Sequence, residues 1–105
     1  MSDLPKILRE YRVKIIPAED VAAPPAYPAN LGFRTKFGGH PDLIQSMDDD
    51  DRICKKCFQP LQFIAQIDSF ESDFPDPQFM FGDVGMIYVW FCFACYTPYA
   101  TMDCY

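Results

Sequence analysis

Four of the five cysteines in this 105-residue chain stand as two Cys-x-x-Cys pairs, Cys54 with Cys57 and Cys92 with Cys95. Thiolates two residues apart can grip one side of a tetrahedral ion, and a second such pair closes the other side. A single pair would read equally well as a redox dithiol. Two pairs point instead to one enclosed metal, with zinc as the first reading. Iron is the second, because four thiolates suit both ions, and a disulfide framework is the third. The disulfide reading is disfavoured by residues 1–16, where Lys6, Arg9, Glu10, Arg12 and Lys14 leave no apolar run of secretory length. A reducing cytoplasm is therefore the expected compartment, and there thiols bind metal more often than each other.

The spacing has two unusual features. The gap from Cys57 to Cys92 is longer than in a compact zinc ribbon, so more structure is expected between the pairs. Phe58 and Tyr96 follow the second cysteine of each pair, where a tight knuckle favours the left-handed freedom of glycine; looser knuckles are expected. Four thiolates leave no vacancy for water, which is the structural rather than the catalytic pattern. The one histidine, His40, follows Gly38 and Gly39 and reads as a turn residue, while Cys104 reads as a small apolar side chain outside the metal site. Nothing in the sequence ties Ser2, Ser46, Ser69 or Ser72 to His40, so the chain reads as non-enzymatic.

These cysteines need elements to hold them. Residues 61–67 read as a strand with Leu61, Phe63, Ala65 and Ile67 on its apolar face and Gln62, Ile64 and Gln66 opposite. Residues 86–93 are apolar nearly throughout, as in a central strand. Antiparallel pairing of the two brings the start of the first beside the end of the second, and with them the two cysteine pairs. Residues 7–16 alternate with β-branched side chains and read as a further strand ended by Pro17. Residues 17–30, with Pro24, Pro25 and Pro28, read as an extended connector packed by Val21 and Tyr27. Residues 31–41 form a glycine-rich turn region, residues 48–51 a solvated acidic loop, and residues 99–105 a last short strand. Gly82 and Gly85 read as a turn in which Asp83 bonds local backbone. The expected fold is mostly β (β-rich α+β), a small antiparallel sheet domain whose four-cysteine metal site clamps a hairpin edge. It spans residues 1–105 as one domain, with 1–30 as N-terminal strand and connector and 31–105 as the core.

The net charge of −6 is unevenly spread. All nine Lys and Arg lie at or before Lys56, whereas from Cys57 onward there are Asp68, Glu71, Asp73, Asp76, Asp83 and Asp103 and no base. Four thiolates on a divalent ion deepen that deficit. A phosphate-binding surface, and with it nucleic acid, is therefore not expected; a neutral or basic protein partner is. No apolar run approaches the roughly 18 residues of a membrane span. Residues 68–83 interleave Phe70, Phe74, Phe79, Met80 and Phe81 with acids. Phe70, Glu71, Asp73, Phe74 and Asp76 are the candidate partner contacts, aromatic anchors ringed by charge, while residues 79–81 read as turning back into the core.

The order of blocks resembles a known family. Leu31-Gly32, then Gly38-Gly39-His40-Pro41-Asp42-Leu43-Ile44-Gln45, then Cys54-x-x-Cys57, then Leu61-Gln62-Phe63-Ile64-Ala65-Gln66-Ile67-Asp68, then Phe81-Gly82-Asp83-Val84-Gly85-Met86-Ile87-Tyr88-Val89 and Cys92-x-x-Cys95 are similar to the YwqG-like bacterial proteins, in their short, cysteine-bearing form. The likeness covers residues 31–105. It implies a β-rich cytoplasmic bacterial protein of no established activity and suggests an association with toxin and immunity loci. The functional expectation is a zinc-stabilised, non-enzymatic immunity protein that blocks a toxin through an acidic surface. The alternative is an iron-thiolate protein of electron transfer or metal handling.

Overall fold

The computed structural model describes residues 7–69, 76–82 and 84–104. Four strands, β1 (Lys36–Phe37), β2 (Gln62–Asp68), β3 (Met86–Cys92) and β4 (Thr97–Asp103), form one sheet in the order β1-β2-β3-β4, every pair antiparallel. The only helical elements among the described residues are 3-10 turns at Ala18–Asp20, Asp49–Arg52 and Pro77–Phe79. The fold is thus mostly β, as expected.

β3 is the central strand of the two long pairings, and its sequence explains why. Met86, Tyr88, Trp90 and Cys92 are buried on one face while Ile87, Val89 and Phe91 are half-buried on the other, so neither face carries a charge. Met86, Tyr88 and Trp90 form the core, against which Leu43, Ile44, Met47, Leu61, Phe63 and Tyr99 pack. The covering segment is pinned through Tyr88, whose hydroxyl donates to the Asp42 carbonyl at 2.9 Å and accepts the Ile44 amide at 3.0 Å.

β2 departs from its expected alternation. Phe63 pairs with Trp90, but Ala65 pairs with Val89, so Ile64 is an extra residue in a β-bulge. Beyond that bulge the faces exchange: Gln66 and Asp68 are fully buried and Ile67 is exposed, where the apolar pattern had placed Ile67 inward and Gln66 outward. A one-residue slip sends every later side chain to the opposite face. The two buried polar side chains of β2 are both partnered. Asp68 forms a bidentate ion pair with Arg34, and its Oδ2 also accepts the amides of Gly32 and Arg34. Gln66 donates to the Arg34 carbonyl and to Asp42, whose amide returns a bond to Gln66. This latch ties residues 32–42 to β2 and sets β1 beside it.

Residues 7–16 are not a strand. Among the described residues no strand lies beside them to accept a ladder, and Ile7, Val13 and Ile15 stay exposed; β-branched alternation is a preference for a pleated, half-buried surface, which those residues do not supply. Among the described residues they are tied at Arg9, whose amide donates to Gln78 Oε1 at 2.9 Å, and at Tyr11, edge-on to Phe79 with its hydroxyl 2.6 Å from Asp76. Val21 and Tyr27, expected to pack the connector, are half or more exposed, and Ala22, Ala23, Pro24 and Pro25 line a hollow with Phe33. The acidic run at 48–51 is solvated, within and beside the Asp49–Arg52 turn.

Candidate metal centre

Each cysteine pair sits on its own backbone knuckle. In the first, the Phe58 amide donates to the Cys54 carbonyl at 2.9 Å, the Cys54 amide to the Gln59 carbonyl at 2.8 Å, and Ile53 bridges Pro60. In the second, the Tyr96 amide donates to the Cys92 carbonyl at 2.7 Å, and the knuckle doubles as the β3–β4 turn because Cys92 pairs with Thr97. Phe58 and Tyr96 take left-handed φ angles of 62° and 61°. The knuckles are therefore tight despite the absence of glycine, contrary to expectation. That geometry is strained for residues with a Cβ and persists only where the surroundings enforce it.

Antiparallel pairing of β2 with β3, ending at Gln62 and Phe91, brings the knuckles together at one end of the sheet. The four Sγ atoms all lie within 4.8 Å of one another, with Cys54 to Cys95 at 3.6 Å and Cys57 to Cys92 at 3.4 Å, and all four thiols are free. Metal–sulfur bonds of about 2.3 Å make a tetrahedron with edges of about 3.8 Å, so the cluster has the size of a four-thiolate site. Cys54 and Cys92 are fully buried; Cys57 and Cys95 are half-buried.

Four thiols this close cannot all ionise unaided. Cys54 is drawn down to about 6, first by its hydrogen bond with Tyr99 and against the opposing effect of burial, with the backbone amides of Cys57 and Lys56 and the Cys95 thiol assisting. Cys92 is also lowered, first by the Cys95 amide. The Gln59 amide pulls Cys57 downward too, yet the thiols of Cys92, Cys95 and Cys54 together with burial push it up to about 12. The cluster by itself retains protons that a bound cation would expel.

A second layer of polar groups was not legible in the sequence. Tyr99 Oη accepts the Lys55 amide at 3.1 Å and lies 3.2 Å from Cys54 Sγ, to which it can donate its proton. Its own ionisation is pushed up, first by that bond to Cys54. Thr97 Oγ1 stands 3.2 Å from Cys95 Sγ, and the Lys56 amide points at Cys54 Sγ at 3.4 Å. Only the strand register of β4 reveals Tyr99 and Thr97 as neighbours of the thiols.

His40 is exposed and Cys104 is half-buried against Gly82, and neither joins the cluster. Of the candidate partner contacts, Phe70, Glu71, Asp73 and Phe74 lie outside the described residues, as does Asp83. Asp76 is half-buried and caps the Pro77–Phe79 turn; its carboxylate is held below its usual range, first by the Tyr11 hydroxyl and also by Gln78. Phe79 and Phe81 are half-buried and Met80 is partly exposed.

The family model described as "Domain of unknown function (DUF1963)" matches residues 11–92. The match starts earlier than the resemblance seen from residue 31 and stops at the third of the four cysteines. No curated protein and no solved structure matches the chain. No helix among the described residues is long and apolar enough to cross a membrane.

Proposed function

The chain belongs to the family of the DUF1963 domain of unknown function, and we propose that it is a zinc-stabilised, non-enzymatic protein-binding module. The observation that carries this reading is the convergence of four thiols, from two separate knuckles, within one tetrahedron-sized cluster. A four-thiolate set is complete, so the ion it holds has no vacancy at which to polarise a substrate or ionise a water. Its work is structural: Cys54, Cys57, Cys92 and Cys95 tie the segment before β2 to the β3–β4 hairpin, and the ion adds its binding free energy to folding. Tyr99 and Thr97 hydrogen-bond the sulfurs and hold them oriented for the ion.

The YwqG-like resemblance, with its association with toxin and immunity loci, supports a basic protein target in a bacterial cytoplasm. The charge distribution supports the same target. Asp68 is neutralised internally by Arg34, so the exposed acids at 48–51 carry more of the negative field than the sequence alone suggests. Protein purified without affinity metal is expected to hold one zinc per chain, and Cys57→Ser to lose both the zinc and much of the thermal stability. Absence of any bound metal, or a Cys57→Ser variant that melts with the parent, refutes the structural-metal reading. Iron with its visible absorption, in place of colourless zinc, would favour the iron-thiolate alternative of electron transfer or metal handling.

A further inference from the structure

We infer that the open flank of β4 docks an extended, Lys- or Arg-bearing segment of a partner protein, which adds to the sheet as a fifth strand. The inference rests on the protein-binding reading above and assigns it a surface. Among the described residues β4 has no strand on its outer side, and from Tyr99 to Asp103 it contains neither a proline nor a lysine that would discourage pairing. Pro98 removes one donor at the other end, which confines a ladder to residues 99–103.

Among the described residues the inner face of the same strand is only partly covered. Tyr99, Thr101 and Asp103 pair with Trp90, Tyr88 and Met86 and so share the packed face of the sheet. Leu43, Met47, Ile53 and Leu61 on the covering side and Tyr99, Thr101 and Asp103 on β4 line a groove of about 460 Å³. Asp51 and Asp103 line it beside Lys55, and the acids at 48–50 lie just upstream of Asp51. Trp90 forms part of the wall, and its buried indole Nε1 has no hydrogen-bond acceptor, a debt that proteins seldom leave standing.

A strand added to β4 would turn alternate side chains into this groove. The residue opposite Asp103 faces a carboxylate and should be Lys or Arg. Its neighbour two places along meets Thr101 and should be β-branched, and the next meets the Tyr99 ring and should be apolar. Charge decides between the possible occupants. A second copy of this chain brings a net charge of −6 to a groove lined by two acids and one base, with further acids at 48–50 beside it, whereas a basic segment is complementary to Asp103 and those acids.

Random short peptides displayed on phage, selected against the metal-loaded full chain, test the proposal. Enriched peptides should carry the basic, β-branched, apolar order at alternate positions. Aromatic-free synthetic versions should shift the emission of Trp90, the only tryptophan. Asp103→Lys should weaken their binding by about tenfold or more, Asp103→Asn less so, and Thr101→Trp should block it by filling the groove. Metal content establishes that each variant is folded, and unliganded Trp90 emission does so for the two Asp103 variants as well. No enrichment, or peptides indifferent to both positions, overturns the proposal, as does a dimer that Thr101→Trp dissociates. A protein partner that binds regardless of both substitutions overturns this docking site but leaves the protein-binding reading in place. Peptide binding to folded, metal-free protein supports the docking site and refutes the metal.

Discussion

Replacing Asp68 with Asn changes one oxygen for an amide in a side chain with no exposure, and it should be among the most damaging neutral substitutions in the chain. Asp68 Oδ2 accepts Arg34 Nε at 2.8 Å, the Gly32 amide at 2.9 Å and the Arg34 amide at 3.0 Å, while Oδ1 accepts Arg34 Nη2 at 2.9 Å. The Arg34 side chain is only 4% exposed, so its charge cannot turn to water when the carboxylate is lost. Breaking a buried pair by removing one partner costs about 3–5 kcal/mol, because the remaining charge is left uncompensated. Against a typical total of about 5–15 kcal/mol, that approaches global unfolding. Arg34→Met should be harmful for the same reason, and the double variant should lose much less than the sum of the two, since the uncompensated charge is then gone. The pair Arg12–Glu10 is the control: its side chains are 91% and 73% exposed, and Glu10→Gln should leave stability unchanged. Urea unfolding of the metal-loaded proteins measures all four. An Asp68→Asn loss below about 1 kcal/mol, or one equal to that of Glu10→Gln, would refute the buried latch.

At the knuckles, Phe58→Gly should raise stability by up to about 1 kcal/mol by relieving a left-handed φ, whereas Phe58→Val should lower it; chemical unfolding that gives the reverse order would show the knuckle to be unstrained. Tyr99→Phe should keep the fold but weaken metal affinity by about tenfold or more through loss of the hydrogen bond to Cys54, measured by competition with a chromophoric chelator. The Asp76 carboxylate is depressed in the fold, so its contribution is present above the ordinary carboxylate range and is lost as pH falls through the lowered value. Tyr11 ring resonances should therefore move with the Asp76 titration at acid pH and stay still in Asp76→Asn.

The four clustered thiols could be read from the chain because their placement is local. A Cys-x-x-Cys pair is set by a single turn of backbone, and two long apolar segments that must pair antiparallel bring the pairs together whatever the rest does. The central place of β3 was legible for a similar reason, since a strand apolar on both faces has nowhere else to go. What the sequence could not determine depends on contacts between distant residues. The bulge at Ile64 exchanges the faces of β2, and only then do Gln66 and Asp68 become interior groups that capture Arg34 and Asp42. Alternation at 7–16 met no neighbouring strand among the described residues and remained irregular. The β4 register alone places Tyr99 against Cys54 and leaves Thr101 and Asp103 facing an open groove. Local spacing fixed which atoms could bind an ion. Register and cover, which are properties of the assembled sheet, decided which side chains stand beside those atoms and which flank of β4 has no strand among the described residues.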